Sequence, residues 1–289
     1  MKVENNLLQK KKTIERELEH ILSREDTSLF RAMRYAVFPG GKRFRPLLLL
    51  SSGECFHLDQ SLLLPFACAI ELIHNYSLIH DDLPTMDNDD FRRGKPSCHK
   101  AFGEDIALLT GDSLLTLAFE VLAQAPLPPE LYPQKEQIIK EISQFAGVGG
   151  MIEGQVMDIT LRPENIIEEV LHELIIKKTG SLIIASVRAG AILGRAPSHQ
   201  LKAIAEYGKD IGLAFQIRDD ILDSAEGGEK NSLSRPNYVF LFGLQVAKRR
   251  LKGFVESGIR ALESASLQSE ELQHMALMLL ELEKENKNG

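Results

Sequence analysis

The sequence predicts an all-α protein, and three observations carry that prediction. Apolar residues recur at helical spacing, as in Leu108, Leu114, Leu115, Leu117, Ala118 and Val121, and again in Leu182, Ile183, Ile184, Val187 and Ala191, the signature of a 3.6-residue period. No sustained apolar/polar alternation marks a strand. Two segments, Pro65 to Ile79 and Ile211 to Leu222, are apolar nearly all round, as helices inside a bundle are.

Breaks divide the chain into about ten or more helices. They fall at Pro39-Gly40-Gly41, around Gly94 and Pro96, from Pro126 to Pro133, at Arg162-Pro163, from Gly194 to Pro197 and from Glu226 to Pro236, where proline and glycine oppose helix continuation. None of these is a long flexible linker and no internal repeat is present, so a single domain over residues 1–289 is expected.

Composition narrows the function classes. The chain is 44% hydrophobic and 26% charged with a formal net charge of -7, which argues against nonspecific nucleic-acid binding. An anionic ligand would need locally gathered Lys and Arg. Cys55, Cys68 and Cys98 are an odd number without C-x-x-C spacing, so neither a disulfide framework nor a zinc cluster is indicated and a reducing cytoplasm is expected. The N-terminal MKVENNLLQKKKTIERELEH mixes acids and bases and lacks the apolar core of a secretory signal. Apolar runs elsewhere fall short of about 18 residues, so no membrane insertion is expected.

Two acidic clusters end the apolar segments. The first reads His80-Asp81-Asp82-Leu83-Pro84-Thr85-Met86-Asp87-Asn88-Asp89-Asp90. Pro84 should stop the helix near Asp82, and a loop could then carry Asp87 back toward Asp81 and Asp82. The second reads Asp219-Asp220-Ile221-Leu222-Asp223, in which Asp219 and Asp223 share one helical face about 6 Å apart. Carboxylates gathered on apolar helices repel one another and are costly to desolvate, so a hard divalent cation is expected. Magnesium suits oxygen donors that leave room for phosphates and water. One such cluster alone would be read as a solvated acidic loop; two on apolar helices point to a cation site.

Three basic stretches supply local positive charge: Gly40-Gly41-Lys42-Arg43-Phe44-Arg45-Pro46, with three cations on a glycine turn, then Arg92-Arg93-Gly94 and Lys178-Thr179-Gly180. Arg grips phosphate oxygens in pairs, and Lys acts as a point charge. Each stretch alone would be a surface turn.

Taken together, GGKRFRP, ELIHNYSLIHDDLPTMDNDDFRRGKPSCH, LLTGDSLL, GGMIEGQVMD, KKTG and GLAFQIRDDILD, running in order from about Gly40 to Asp223, resemble the trans-prenyltransferase family, in particular bacterial short-chain enzymes of the farnesyl and geranylgeranyl diphosphate synthase type. The resemblance implies an all-helical, isoprenoid synthase-like bundle around a central active-site cavity. It also implies a homodimer that condenses isopentenyl diphosphate with dimethylallyl or geranyl diphosphate. By it, Asp81, Asp82 and Asp87, with Asp219 across the cavity, hold three magnesium ions on the allylic diphosphate, while Asp220 and Asp223 complete the second motif. It places Arg92, Lys178, Thr179 and Gln216 at the allylic site and Lys42, Arg45, His74 and Arg93 in the isopentenyl diphosphate pocket. From its neighbours alone His74 would be a satisfied core histidine. His80 is expected to be structural, and Gln155 and Asp158 match a family motif but could equally be helix-packing groups.

In such enzymes the side chains one turn before the first aspartates form the floor against which the product stops; here they are Tyr76 and Ser77. A bulky Tyr implies a C15 product, with C20 the alternative. The chain departs from the family after Asp223, where Ser224 to Pro236 is short and Lys230 and Arg235 are the candidates to replace two missing lysines. That departure keeps open a noncatalytic partner subunit, which the retention of both aspartate motifs opposes. A terpene cyclase is opposed by the isopentenyl-pocket residues in GGKRFRP and Arg93.

Overall fold

The computed structural model describes residues 2–162, 166–225 and 236–282. Among them fourteen α-helices follow in order: α1 (Lys2–Leu22), α2 (Ser28–Val37), α3 (Phe44–Glu54), α4 (Gln60–Asp81), α5 (Cys98–Phe102), α6 (Glu104–Gln124), α7 (Tyr132–Ala146), α8 (Met151–Thr160), α9 (Glu168–Ile175), α10 (Ser181–Leu193), α11 (Ser198–Ala225), α12 (Tyr238–Phe242), α13 (Leu244–Ser264) and α14 (Glu270–Leu277). The all-α expectation holds. One antiparallel ladder, β1 (Phe91–Arg92) with β2 (Lys95–Pro96), is an addition that no alternation in sequence marks. It turns through Arg93 and Gly94, both at positive φ (53° and 76°), as a two-residue type I′ hairpin requires.

Polar side chains start the helices where the sequence supplies them. Thr27 accepts from Phe30 N to cap α2, and Asp59 accepts from Ser61 N to cap α4, filling donors that the first turn leaves unpaired. Because of Asp59, α4 begins five residues before Pro65. A break not foreseen in sequence falls at Gly147 to Gly150, between α7 and α8.

The core is one contiguous apolar cluster reaching from Leu7 on α1 to Leu279 beyond α14. At its centre lies α10, buried at every position except Arg188. This helix packs on α3, α4, α7 and α11, while α6 lies against α4 and α13 against α11. Arg188 is held by both carboxylate oxygens of Glu141 at 2.7 and 2.6 Å. The most completely enclosed helix is thus α10, whereas the sequence pointed to Pro65–Ile79 within α4 and Ile211–Leu222 within α11.

By length and composition α4 and α6 could cross a bilayer, which exceeds the run length expected from the sequence. Most of α4's apolar stretch is inside the bundle, against less than half of α6's. Within α4, Glu71 and Asn75 are buried in a polar network with Arg43. The exposed side of α6 carries Leu108 and Leu109.

Candidate active site

α4 stops at Asp81, with Asp82 as its C-cap. Pro84 follows, and its ring and missing N–H prevent continuation. The chain folds back so that Asp87 N donates to Asp81 O at 2.8 Å and Asn88 N to Leu83 O at 3.1 Å. The expected return of Asp87 to the leading aspartates is therefore built by the backbone. Asp82 points inward, 2% exposed, and accepts from Arg92 Nε at 3.0 and 3.2 Å and from a terminal guanidinium nitrogen. Burial raises the Asp82 pKa and the Arg92 bond opposes that rise. Burial likewise pushes Asp81 up to about 6, against the pull of Lys178 and with the push of Asp87.

The second cluster lies within the unbroken helix α11. Burial pushes Asp219 up to about 7, with Arg218 opposing and Asp223 and Asp220 adding to the rise; the side chain still keeps 41% exposure. Asp220 is turned in, 5% exposed. Its two oxygens accept from Gln216 Nε2 at 3.0 Å and from the backbone N of Tyr238 at 2.7 Å, and burial pushes it up to about 6. Asp223 is exposed one turn on from Asp219.

Between these clusters sits a five-residue π turn, Ile176–Gly180, joining α9 to α10. Such turns insert one residue per turn and rotate the side chains that follow. Lys178 Nζ donates to Asp158 Oδ2 at 2.5 Å, and Thr179 Oγ1 donates to Gln216 Oε1 at 2.9 Å. A Cβ on Gly154 of α8 would collide with the Lys178 backbone, which explains a glycine there. The charge of Asp158 raises the pKa of both Asp81 and Asp220, so the Lys178–Asp158 pair lies within electrostatic reach of both acidic clusters. Asp158 thus stands with Lys178 near both clusters, which its place on α8 alone did not distinguish from packing.

The basic stretches divide between ligand-facing and structural groups. Arg43, at φ 53°, turns into the core, where it donates to Glu71 at 2.6 Å and to Val37 O at 3.0 Å. A Cβ on Gly40 would strike its guanidinium. Of the three cations expected on this loop, Arg43 is therefore structural, which leaves Lys42 and Arg45. Burial lowers the Arg45 pKa, with Glu71 and Asp219 opposing; its Cζ lies 5.7 Å from the Phe215 ring centroid and its Nε has no protein partner. Arg93, from the hairpin turn, lies against Gly41, at 3.2 Å from where a Cβ would stand. His74 is held well below the ordinary range by burial and then by Arg45, Arg93, Arg43 and Arg92. Its ring therefore lies within the field of the arginines from the Gly40 loop and the hairpin, a charge environment that its apolar sequence neighbours do not suggest.

Tyr76 is buried one turn before Asp81 and meets His80 edge-on, with centroids 5.7 Å apart. Burial and the Asp81 charge push its phenol up to about 12. Ser77 donates back to His74 O at 2.9 Å. His80 contacts Leu108 O at 3.0 Å and covers Gly111, a packing role as expected. Lys230, Arg235 and Pro163 lie outside the described residues.

The donor set fits magnesium that shares its coordination with a ligand. Among the described residues no three Asp, Glu, His or Cys side chains form a closed cage. All candidate donors are carboxylates, on two separate walls, and this hard cation is commonly bound by one or two carboxylates plus phosphates and water. Asp82 and Asp220, predicted as ligands, have both oxygens engaged by protein donors.

Fold and site together define an all-helical enzyme of the isoprenoid synthase type. The chain belongs to the polyprenyl synthetase family, whose model matches residues 26–234. It is 40% identical to farnesyl diphosphate synthase of Geobacillus stearothermophilus, over 95% of this chain and 96% of that protein. It is 37% identical to farnesyl diphosphate synthase of Escherichia coli (strain K12), over 85% of each. Its backbone matches a solved geranyltransferase from Legionella pneumophila with a TM-score of 0.86 at 35% identity, covering 96% of both chains.

Proposed function

We propose that this chain is a magnesium-dependent prenyltransferase that joins dimethylallyl or geranyl diphosphate to isopentenyl diphosphate and releases chiefly farnesyl diphosphate. One observation carries this reading. Two carboxylate walls flank the Lys178–Asp158 pair, and an arginine pocket around His74 adjoins them. Two diphosphates of unlike role need two such environments.

Asp81, Asp87, Asp219 and Asp223 would hold magnesium, three ions with substrate bound, with Asp82 and Asp220 behind them. Bound magnesium supplies charge compensation for the diphosphate as its bond to the allylic carbon breaks. Lys178, Thr179, Gln216 and Arg92 orient that diphosphate and stabilise its developing charge. Lys42, Arg45 and Arg93, with neutral His74, hold the second diphosphate so that its double bond faces the allylic carbon. The allylic C–O bond breaks to leave diphosphate and an allylic cation, the alkene attacks that cation to form the new C–C bond, and the departed diphosphate accepts the proton then lost. No protein base is needed. Apolar walls exclude water that would trap the cation, and Tyr76, with Ser77 beside it, sets the depth available to the growing chain.

The whole chain would act as one catalytic domain in the cytoplasm, consistent with free Cys55, Cys68 and Cys98. Exposed Leu108 and Leu109 on α6 and Ile152, Val156 and Ile159 on α8 support a homodimer. The test is incubation of the protein with magnesium, labelled isopentenyl diphosphate and each of dimethylallyl, geranyl and farnesyl diphosphate. A dominant C15 product is expected. A dominant C20 product would revise the length, and no product from folded protein would replace catalysis with the partner-subunit role.

A further inference from the structure

We infer that Tyr238 is a positioning residue for the second aspartate wall: its buried phenol, anchored to Glu168, aims its own backbone N–H at Asp220. The inference deepens the proposed function and rests on it. Tyr238 opens α12 and is fully buried. Its hydroxyl donates to Glu168 on α9 and lies 3.3 Å from His172 Nε2. The ring stacks on His172, with centroids 5.9 Å apart and planes inclined by 14°, and packs on Phe242 at 5.0 Å. Glu168 is itself gripped by Arg250 of α13, Nε and a terminal nitrogen each at 2.7 Å. Three helices therefore hold one aromatic side chain.

At the other end of the same residue, its N–H meets Asp220 Oδ2 at 2.7 Å. Asp220 is the end of a chain of hydrogen bonds from Thr179 through Gln216, so the direction of one backbone N–H sets how the wall is seated behind Asp219 and Asp223. Asn237 reinforces this direction by capping α12, its Oδ1 accepting from Val239 N at 2.9 Å and Phe240 N at 3.1 Å. Groups one step removed from a metal site orient its ligands, and their loss costs about 10- to 100-fold in affinity or activity. Asp220 itself stands behind the carboxylates that would hold magnesium, so Tyr238 lies two steps removed and the lower part of that range applies.

The test uses Tyr238→Phe, with Glu168→Gln as a second variant should the first fail to fold and Tyr207→Phe as a control. Tyr207 is another fully buried tyrosine on α11, whose hydroxyl donates to Leu272 O at 2.7 Å, away from Asp220. Binding of inorganic pyrophosphate is titrated against magnesium by calorimetry, alongside turnover and thermal denaturation. Tyr238→Phe should raise the magnesium concentration for half-maximal pyrophosphate binding about tenfold and lower kcat while leaving KM for isopentenyl diphosphate unchanged. Glu168→Gln should do the same to a smaller degree. Tyr207→Phe should lower Tm without moving the magnesium midpoint. If Tyr238→Phe and Glu168→Gln lower only Tm, the positioning role is wrong; if wild type itself makes no product, the proposed function fails and the magnesium-dependent binding of pyrophosphate still judges Tyr238.

Discussion

On α4 the aspartates gather because the helix ends; on α11 they gather because it continues. At the end of α4, Pro84 stops the helix and the chain doubles back until Asp87 N bonds Asp81 O. On α11, the helical period alone brings Asp223 under Asp219. Each wall also turns one carboxylate inward, but with different partners. Asp82 is met by the full charge of Arg92, whereas Asp220 is met by two neutral donors, Gln216 and the Tyr238 backbone. The lesson is that one cation-binding task can be divided between a loop stiffened by an ion pair and a helix stiffened by an amide network.

The comparison breaks first on activity. If both walls hold magnesium on the departing diphosphate, Asp81→Ala and Asp219→Ala should each lower kcat by at least about 10²-fold, measured by incorporation of labelled isopentenyl diphosphate. Loss from only one would make the other wall structural. The walls should differ in product control, since Tyr76 hangs beneath Asp81 and the α11 wall has no assigned floor residue. Tyr76→Ala should shift the main product by one or more five-carbon steps, read by chromatography of dephosphorylated products; an unchanged distribution would remove Tyr76 from the floor.

Stability sharpens the contrast between the inward carboxylates. Asp82→Asn loses a charge-assisted bond and should cost about 1.5–3 kcal/mol, read from denaturant midpoints. Asp220→Asn should cost less than about 1 kcal/mol at neutral pH, because burial already disfavours its charge. Equal losses would mean that partner charge is immaterial. The smallest effect is in pH. Asp81, Asp219 and Asp220 have pKa values raised to about 6, 7 and 6, above the ordinary value near 3.9. The folded state therefore holds these protons more tightly than the unfolded one. These groups should make the metal-free protein lose stability as pH rises from about 4 to about 7. Magnesium with pyrophosphate should remove that loss, and their binding should weaken as pH falls through about 7 to 6. Thermal denaturation with and without both ligands checks the sign.

The helical class, the two acidic walls and the break at Pro84 were legible because each follows from local chemistry: helical spacing, charge clustering and a missing N–H. The roles of Arg43 and Arg45 were told apart only by the resemblance, which named Arg45 and not Arg43; local chemistry did not separate them. They are two residues apart on one loop with the same charge, and only the buried carboxylate of Glu71, 28 positions on, separates the structural arginine from the one facing the pocket. Asp158 and Tyr238 were obscure for the same reason, since their partners Lys178 and Glu168 come from other helices. The resemblance marked His74 as a binding residue where its apolar neighbours suggested packing. The surrounding arginines show the charge environment that local sequence could not.

The π turn before α10 has a consequence for tolerance to length change. It acts as a phase shifter: helical residues run without a break from α9 through the turn into α10, and the extra residue turns Lys178 toward Asp158. Each residue of an α-helix advances the azimuth by about 100°. Deleting one residue there would bring the helical run back into register and swing Lys178 off Asp158, although no charge or hydrogen-bonding group had been removed. A single-codon deletion in this turn is therefore a more severe lesion than most substitutions within it.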